Sequence, residues 1–484
     1  MSLVMSLEEY ARYDAVALAG LVRRGEVRAE DLAALARVAV ERINPALNPV
    51  VETYDVSCTR PGKADGPFGG VPFLLKDLVC HEAGQTYELG SRLAAGVQIP
   101  HDTTLARRFR NAGLGVIGRS ATPEMGYCVT TEGLLHGPTR NPYNPELSPG
   151  GSSGGAAVAV ATGALPMAHG NDGGGSIRIP AACNGLVGLK PTRGRVPVGP
   201  DFSSPLFGFG IEFALTRSVR DAAALLDAVE GPESGAFARI PRPRVPFREA
   251  VVESPRPLRV AWTSNSWSGV GVDAEARAAV EETAGLMESL GHRVEERDLG
   301  FDWNSFSEAT LTVWAAFVAA GLEQLAGVTG RRINDDAVEP CILATYEYAQ
   351  RLSAVDLMGV DTVVAGMSRH MDGQLADVDV LLTPTVPAPP QPLGTFASSR
   401  TDLDCRGYFE HTFSYAQYSA PFNMTGHPAI SMPVHRTTDG LPLGTQAIAG
   451  HGEEATLLAL AAQLEAATGW TKSRPGIHVA GTLG

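Results

Sequence analysis

Residues 150–197 read GGSSGGAAVAVATGALPMAHGNDGGGSIRIPAACNGLVGLKPTRGRVP, and two runs inside this stretch govern how the rest is read. One is Gly150-Gly151-Ser152-Ser153-Gly154-Gly155; the other is Gly173-Gly174-Gly175-Ser176-Ile177-Arg178-Ile179-Pro180. A serine set among glycines lets the backbone turn sharply and come close to a ligand, and consecutive N–H groups in such a turn converge on an anion. A phosphate-binding P-loop needs a lysine and then a hydroxyl residue directly after its glycines, and neither run has them. On the residues alone, two plain tight turns remain the alternative. The glycines concentrate here, 13 of the chain's 54 falling within residues 150–200, so the demand for them is local.

Upstream, Gly70-Val71-Pro72-Phe73-Leu74-Leu75-Lys76-Asp77-Leu78-Val79 sets a lysine in an apolar strand. Such a lysine commonly snorkels or protects a sheet edge. Buried, it is instead pushed toward the neutral amine, because desolvation disfavours the ammonium. Bringing a lysine from ~10.4 down to ~7 or 8 takes about 4 kcal/mol of such destabilisation. Asp77 does not cancel this by direct pairing, since successive strand side chains face opposite ways.

Around these motifs helices alternate with strands. Residues 6–43 look helical, with amphipathic runs Leu18, Leu21, Val22 and Leu32, Leu35, Val38 separated by Gly25 and ended by Asn44-Pro45. Strands are expected over 71–75 and 114–117 with a helix over 103–112 between them, and Ser218 caps a helix running to Val229. Residues 231–257 hold six prolines and five arginines and read as a surface connection. Beyond it come a strand (258–262), a helix (273–290), a strand (293–299) and a mostly helical region to Leu375. A buried strand (378–382), late strands (426–434 and 444–449) and a closing helix (452–468) follow, with no internal repeat. This pattern predicts an α/β protein whose sheet is covered by helices on both faces.

The length of 484 residues allows about three domains or one large α/β domain. Lys and Arg total 39 against 53 Asp and Glu, a net charge of −14 that argues against nucleic acid as the main partner. Cys58, Cys80, Cys128, Cys183, Cys341 and Cys405 form no C-x-x-C pair, and the 11 histidines no H-E-x-x-H, so no metal site is signalled. A reduced, cytoplasmic compartment fits this cysteine usage. The first 20 residues lack a basic n-region, and Ser6 to Glu9 read as a helix capping box instead. The longest apolar stretches, 154–168 and 311–322, fall short of the ~20 residues that cross a bilayer, so no membrane span is expected.

Lys76, Ser152 and Ser176 in this order, with the serines 24 residues apart, resemble the amidase signature family of serine hydrolases. The similarity runs nearly throughout 150–197, including Gly185-Leu186-Val187-Gly188-Leu189-Lys190-Pro191-Thr192. It extends to Leu381-Leu382-Thr383-Pro384-Thr385, to Pro428-Ala429-Ile430-Ser431-Met432-Pro433 and to Asp439-Gly440-Leu441-Pro442, and so spans most of the chain. The resemblance implies the family's fold, a large mixed twisted β-sheet covered by α-helices on both faces. It also implies a single domain over 1–484 with its signature core at about 69–200. It places the Ser-Ser-Lys triad on Ser176 as acylating nucleophile, Ser152 as bridging serine held by a cis peptide, and Lys76 as terminal base. The N–H groups of Gly173, Gly174, Gly175 and Ser176 would form the oxyanion hole. The implied activity is cofactor-free hydrolysis of a small linear or cyclic amide, with no nucleic acid, membrane or metal, and a homodimer left open.

Two positions depart from the family. Where it usually reads Gly-Thr-Asp-Thr, this chain has Gly170-Asn171-Asp172-Gly173, and the triple glycine is expected to loosen the hole or widen the acyl site. Asp172 is expected to orient backbone, and Arg178 to pair with a carboxylate such as Asp172. The His169-Gly170-Asn171-Asp172 variant, with Thr122-Pro123-Glu124-Met125-Gly126 and Arg140-Asn141-Pro142, is similar to the 6-aminohexanoate cyclic-dimer hydrolase branch. Met125, Tyr127, Trp314, Phe317 and Phe422 are candidates for the acyl pocket, with core packing as the alternative for each. A Ser-His-Asp triad through His169 is a competing arrangement. The competing functions are the glutaminase subunit of a tRNA-dependent amidotransferase and an inactive binding module that kept the fold.

Overall fold

The computed structural model describes residues 4–55 and 62–481, so expectations for Cys58 and the first three residues lie outside the described residues. Eleven strands occur among them: β1 (Val50–Thr53), β2 (Pro72–Lys76), β3 (Gly115–Ser120), β4 (Met167–Asp172), β5 (Val187–Lys190), β6 (Ile211–Thr216), β7 (Arg259–Trp262), β8 (Arg293–Glu296), β9 (Val380–Pro384), β10 (Ala429–Arg436) and β11 (Pro442–Ile448). Eight form a mixed sheet in the order β4-β6-β5-β10-β11-β9-β7-β8. Pairing is antiparallel from β4 to β9 and parallel from β9 to β8. The other three make a separate small sheet in the order β1-β3-β2. Lys76 therefore stands on a different sheet from the signature serines' neighbour β4, and the sequence pattern did not separate the two.

Both faces of the large sheet are covered, as consecutive residues of β11 show. A Cβ at Gly444 would lie 2.8 Å from Ala182 of the helix Arg178–Asn184, whereas the next residue, Thr445, brings its Oγ1 to 3.3 Å from Thr283 of the helix Ala274–Ser289. Neighbouring strand residues point to opposite faces, so these helices lie on opposite sides. On the Thr445 side the closing helix Glu454–Thr468 packs Leu457, Leu460 and Leu464, all fully buried, into a core that includes Ile430 and Met432.

Two expectations need correction. The helix Ala29–Leu47 runs through Asn44-Pro45 instead of stopping there. Pro45 lacks the N–H that would bond the Glu41 carbonyl, but the Asn44 side chain bonds Val50 N–H and C=O at 2.9 Å each, with left-handed Asn48 ending the helix. The connection 231–257 is largely exposed but holds a one-turn helix, Phe247–Ala250. Asp227 accepts from the N–H groups of Phe247 and Arg248 at 2.7 and 2.9 Å, and Phe247 is buried. The helix Trp303–Thr329, 27 residues at mean hydropathy 1.5 over its most apolar window, is long and apolar enough to cross a bilayer by composition. Here it packs against the helices Pro340–Ala349 and Ala354–Gln374, with Leu311, Trp314, Val318 and Leu322 buried.

Candidate active site

β2 ends on Lys76, which is fully buried. Its Nζ lies 2.7 Å from Ser152 Oγ and 2.6 Å from Asn171 Oδ1. Burial pulls the amine down from 10.5 to about 7, against the opposing charges of Glu212 and Asp172. At neutral pH a substantial fraction is then the free amine, able to accept a proton from Ser152 across that 2.7 Å. Asp77 turns away, pairing with Arg119 Nη1 at 2.8 Å.

Ser152 follows a cis peptide from Gly151 and precedes the buried helix Gly154–Ala161. Position 151 admits only glycine, since a Cβ there would lie 2.2 Å from Thr130 carbonyl oxygen. Ser176 stands at the turn between β4 and the helix Arg178–Asn184. Its carbonyl accepts from Ser153 N–H at 3.2 Å, while its Oγ makes no hydrogen bond among the described residues, and Ser176 lines a cavity together with Ser152. Gly175 supports the turn with φ +130, and a Cβ there would meet Ser419 Oγ at 2.2 Å.

Asp172 organises the turn. It accepts from the N–H of Gly175 at 2.7 Å and of Ile177 at 3.2 Å, and pairs with Arg178 through Nε at 2.9 Å and Nη2 at 2.8 Å. Burial alone would raise its pKa, but Arg178 outweighs this and holds the carboxyl well below the usual range. Arg178 spends its remaining donors on Ser419 carbonyl (2.8 Å), Gln446 Oε1 and Asn423 Oδ1 (2.6 Å each), so it is a structural hub with nothing left for a substrate. The Gly175 contact also corrects the four-donor oxyanion hole: that N–H is turned onto Asp172, leaving Gly173, Gly174 and Ser176 with backbone donors that no group among the described residues takes up.

A narrow cavity opens beside the serines. Leu78, Val79, Met125, Leu206, Trp314 and Phe317 give it apolar walls, and Ser152, Asn171, Asp172, Ser176 and Glu212 are its polar lining. Of the five candidates for the acyl pocket, Met125, Trp314 and Phe317 line this cavity. Tyr127 does not line it: the ring lies behind Trp314, stacked at 4.9 Å. Phe422 is farther off, packed on Trp267 at 6.0 Å in a separate core cluster. The room expected at Gly173 is already filled, since a Cβ there would be 2.6 Å from Leu206 Cδ1 and 3.0 Å from Trp314 Cζ2.

The Ser-His-Asp alternative is not assembled. His169 Nδ1 accepts Lys76 backbone N–H at 3.1 Å, which fixes the proton on Nε2, 2.8 Å from Glu212 Oε2. Both ring nitrogens are occupied. This His169–Glu212 pair escaped sequence reasoning, although a lone acid in the apolar run Ile211-Glu212-Phe213-Ala214-Leu215 was its signal.

The family model described as Amidase matches residues 21–458. The 6-aminohexanoate-cyclic-dimer hydrolase of Paenarthrobacter ureafaciens is 37% identical over 479 residues, 96% of each chain. An acylamidase of Rhodococcus erythropolis is 32% identical over 447 residues, 90% of this chain and 91% of its own. The solved structure of 6-aminohexanoate cyclic dimer hydrolase complexed with substrate superposes with a TM-score of 0.90 at 34% identity, covering 96% of this chain and 99% of that one.

Proposed function

Because the chain belongs to the amidase family, we propose that it hydrolyses a carboxamide or cyclic amide through an acyl-Ser176 intermediate, with Ser152 and Lys76 as its proton relay. The observation that carries this reading is the buried Lys76 amine, poised near neutrality 2.7 Å from Ser152 Oγ, with Ser152 and Ser176 on one cavity. Lys76 accepts the Ser152 proton, Ser152 accepts that of Ser176, and the Ser176 oxygen bonds to the amide carbon. The carbonyl oxygen, now an oxyanion, is stabilised by the free N–H groups of Gly173, Gly174 and Ser176. Collapse breaks the C–N bond and the relay returns its proton to the leaving amine. Water then attacks the ester with the same relay, releasing the carboxylic acid and restoring Ser176.

Asn171 holds Lys76 toward Ser152, its Oδ1 accepting from Nζ while its Nδ2 donates to Leu78 carbonyl at 2.9 Å. The apolar walls favour an acyl group rich in methylenes over the polar glutamine of the amidotransferase reading. The similarity to cyclic-dimer hydrolases supports cyclic amides among the substrates, and the five unpaired cysteines among the described residues support a reducing, cytoplasmic setting. The test is a panel of linear and cyclic amides with wild type and Ser176→Ala, together with mass spectrometry of protein labelled by a fluorophosphonate. Activity should vanish in the variant and the label should sit on Ser176. Full activity in Ser176→Ala with the label on another residue would refute the assignment, and failure of wild type to label would favour the inactive module.

A further inference from the structure

His81, Asp201 and His101 converge outside the cavity, on segments that continue into its walls. His81 Nε2 and His101 Nε2 each lie 2.7 Å from a different oxygen of the one Asp201 carboxylate, and donor atoms of all three residues fall within 4.8 Å of one another. The imidazole centroids are 5.2 Å apart and the rings cross at 74°, edge to face. We propose that these three side chains form a binding site for a divalent transition-metal cation of the Zn²⁺ class. Two imidazoles and a carboxylate are a borderline donor set that suits zinc and its first-row neighbours, with water completing the coordination.

The donors are held in place by backbone bonds. Thr103 N–H donates to His81 carbonyl at 3.1 Å and Gly84 N–H to Ile99 carbonyl at 2.8 Å, so the two histidine segments run side by side. Thr104 N–H donates to Gly199 carbonyl at 2.8 Å, tying in the segment that carries Asp201. The His81 side chain is 5% exposed, against 44% for His101 and 32% for Asp201, so the cluster is anchored within and open to ions from solvent. Ligand atoms ~2.0–2.2 Å from a tetrahedral zinc lie about 3.3–3.6 Å apart, so each imidazole nitrogen must draw back from Asp201 by about 0.6–0.9 Å.

A cation here joins two walls of the cavity. Val79 lies two residues before His81, and the His81 ring contacts Tyr87 at 5.0 Å, whose hydroxyl accepts Val79 N–H at 2.9 Å. Pro205 and Leu206, which also line the cavity, follow shortly after Asp201.

The experiment uses the full chain without an affinity tag, stripped with a chelator. Zn²⁺ binding is followed by calorimetry, Co²⁺ binding by its visible d–d absorption, and the Zn²⁺-loaded protein by hydrogen exchange. We expect one equivalent bound, and affinity weakened at least ~100-fold in His101→Ala and in Asp201→Asn, since even an outer-shell change costs 10–100-fold. Exchange in 79–87 and 199–206 should slow in wild type only. Both substitutions fall at part-exposed positions, and unchanged circular dichroism verifies that the variants fold. No uptake, or uptake retained in both variants, overturns the site; uptake with unchanged exchange overturns the bridging. Binding is read directly, so its failure leaves the acyl-Ser176 reading untouched, and the reverse holds as well.

Discussion

Replacing Lys76 by methionine should abolish amide hydrolysis and, at the same time, make the fold more tolerant of falling pH. The buried amine has a pKa of about 7 in the fold against 10.5 when solvated. Between those values the unfolded chain holds a proton that the folded chain has lost, so wild-type stability rises with pH across this window. The whole gap of about 3.5 pH units is worth about 5 kcal/mol, a cost carried in full below pH ~6 and absent above pH ~11. Methionine binds no proton and carries none of it. The variant also loses the contacts with Ser152 and Asn171, which costs roughly 1–3 kcal/mol for each group left unsatisfied. That loss is the same at every pH and cancels when two pH values are compared. From pH 9 to pH 7 the linkage integrates to about 2 kcal/mol, so the variant's stability relative to wild type should improve by that amount. Urea unfolding of both proteins at both pH values measures it. An identical difference at pH 7 and pH 9 would mean that Lys76 is not the depressed amine described here. The same titration predicts that wild-type kcat/KM rises about tenfold from pH 6 to pH 8.

Removing the Glu212 charge in Glu212→Gln takes away the leading carboxylate that raises the Lys76 pKa. The acid limb of kcat/KM should then move to lower pH, and an unmoved limb would exclude Glu212 from setting it. Threonine at position 173, the residue usual in the family, would push its Cβ into Leu206 and Trp314. Gly173→Thr should cost ~1–3 kcal/mol in urea unfolding and raise KM for bulky acyl groups, whereas unchanged KM would mean that those groups do not reach Gly173.

The residues proposed to be catalytic were legible because each lies in a short local motif: a lysine closing an apolar strand, and two serines framed by glycines. Sheet order was not. β4, β5 and β6 are buried on both faces, so they lack the alternation that marks a strand beside solvent. Tyr127 and Phe422 failed as pocket residues because an aromatic side chain serves a wall and a core equally well by composition. Gly175 failed as an oxyanion donor because only the folded turn fixes which way an N–H points. His81, His101 and Asp201 were invisible as a group, since Asp201 stands 120 residues from His81 and no metal spacing spans such a distance.

Arg178 reaches from the Ser176 turn to Ser419, Asn423 and Gln446, between 241 and 268 residues further along the chain. On a translating ribosome, Ser176 emerges long before any of these partners exists. Until they arrive, a charged guanidinium that the finished protein buries completely must stay in water, and the turn that carries Ser176 lacks its far supports. The order of synthesis therefore keeps the nascent chain from displaying the finished Ser176 turn until its last strands are made.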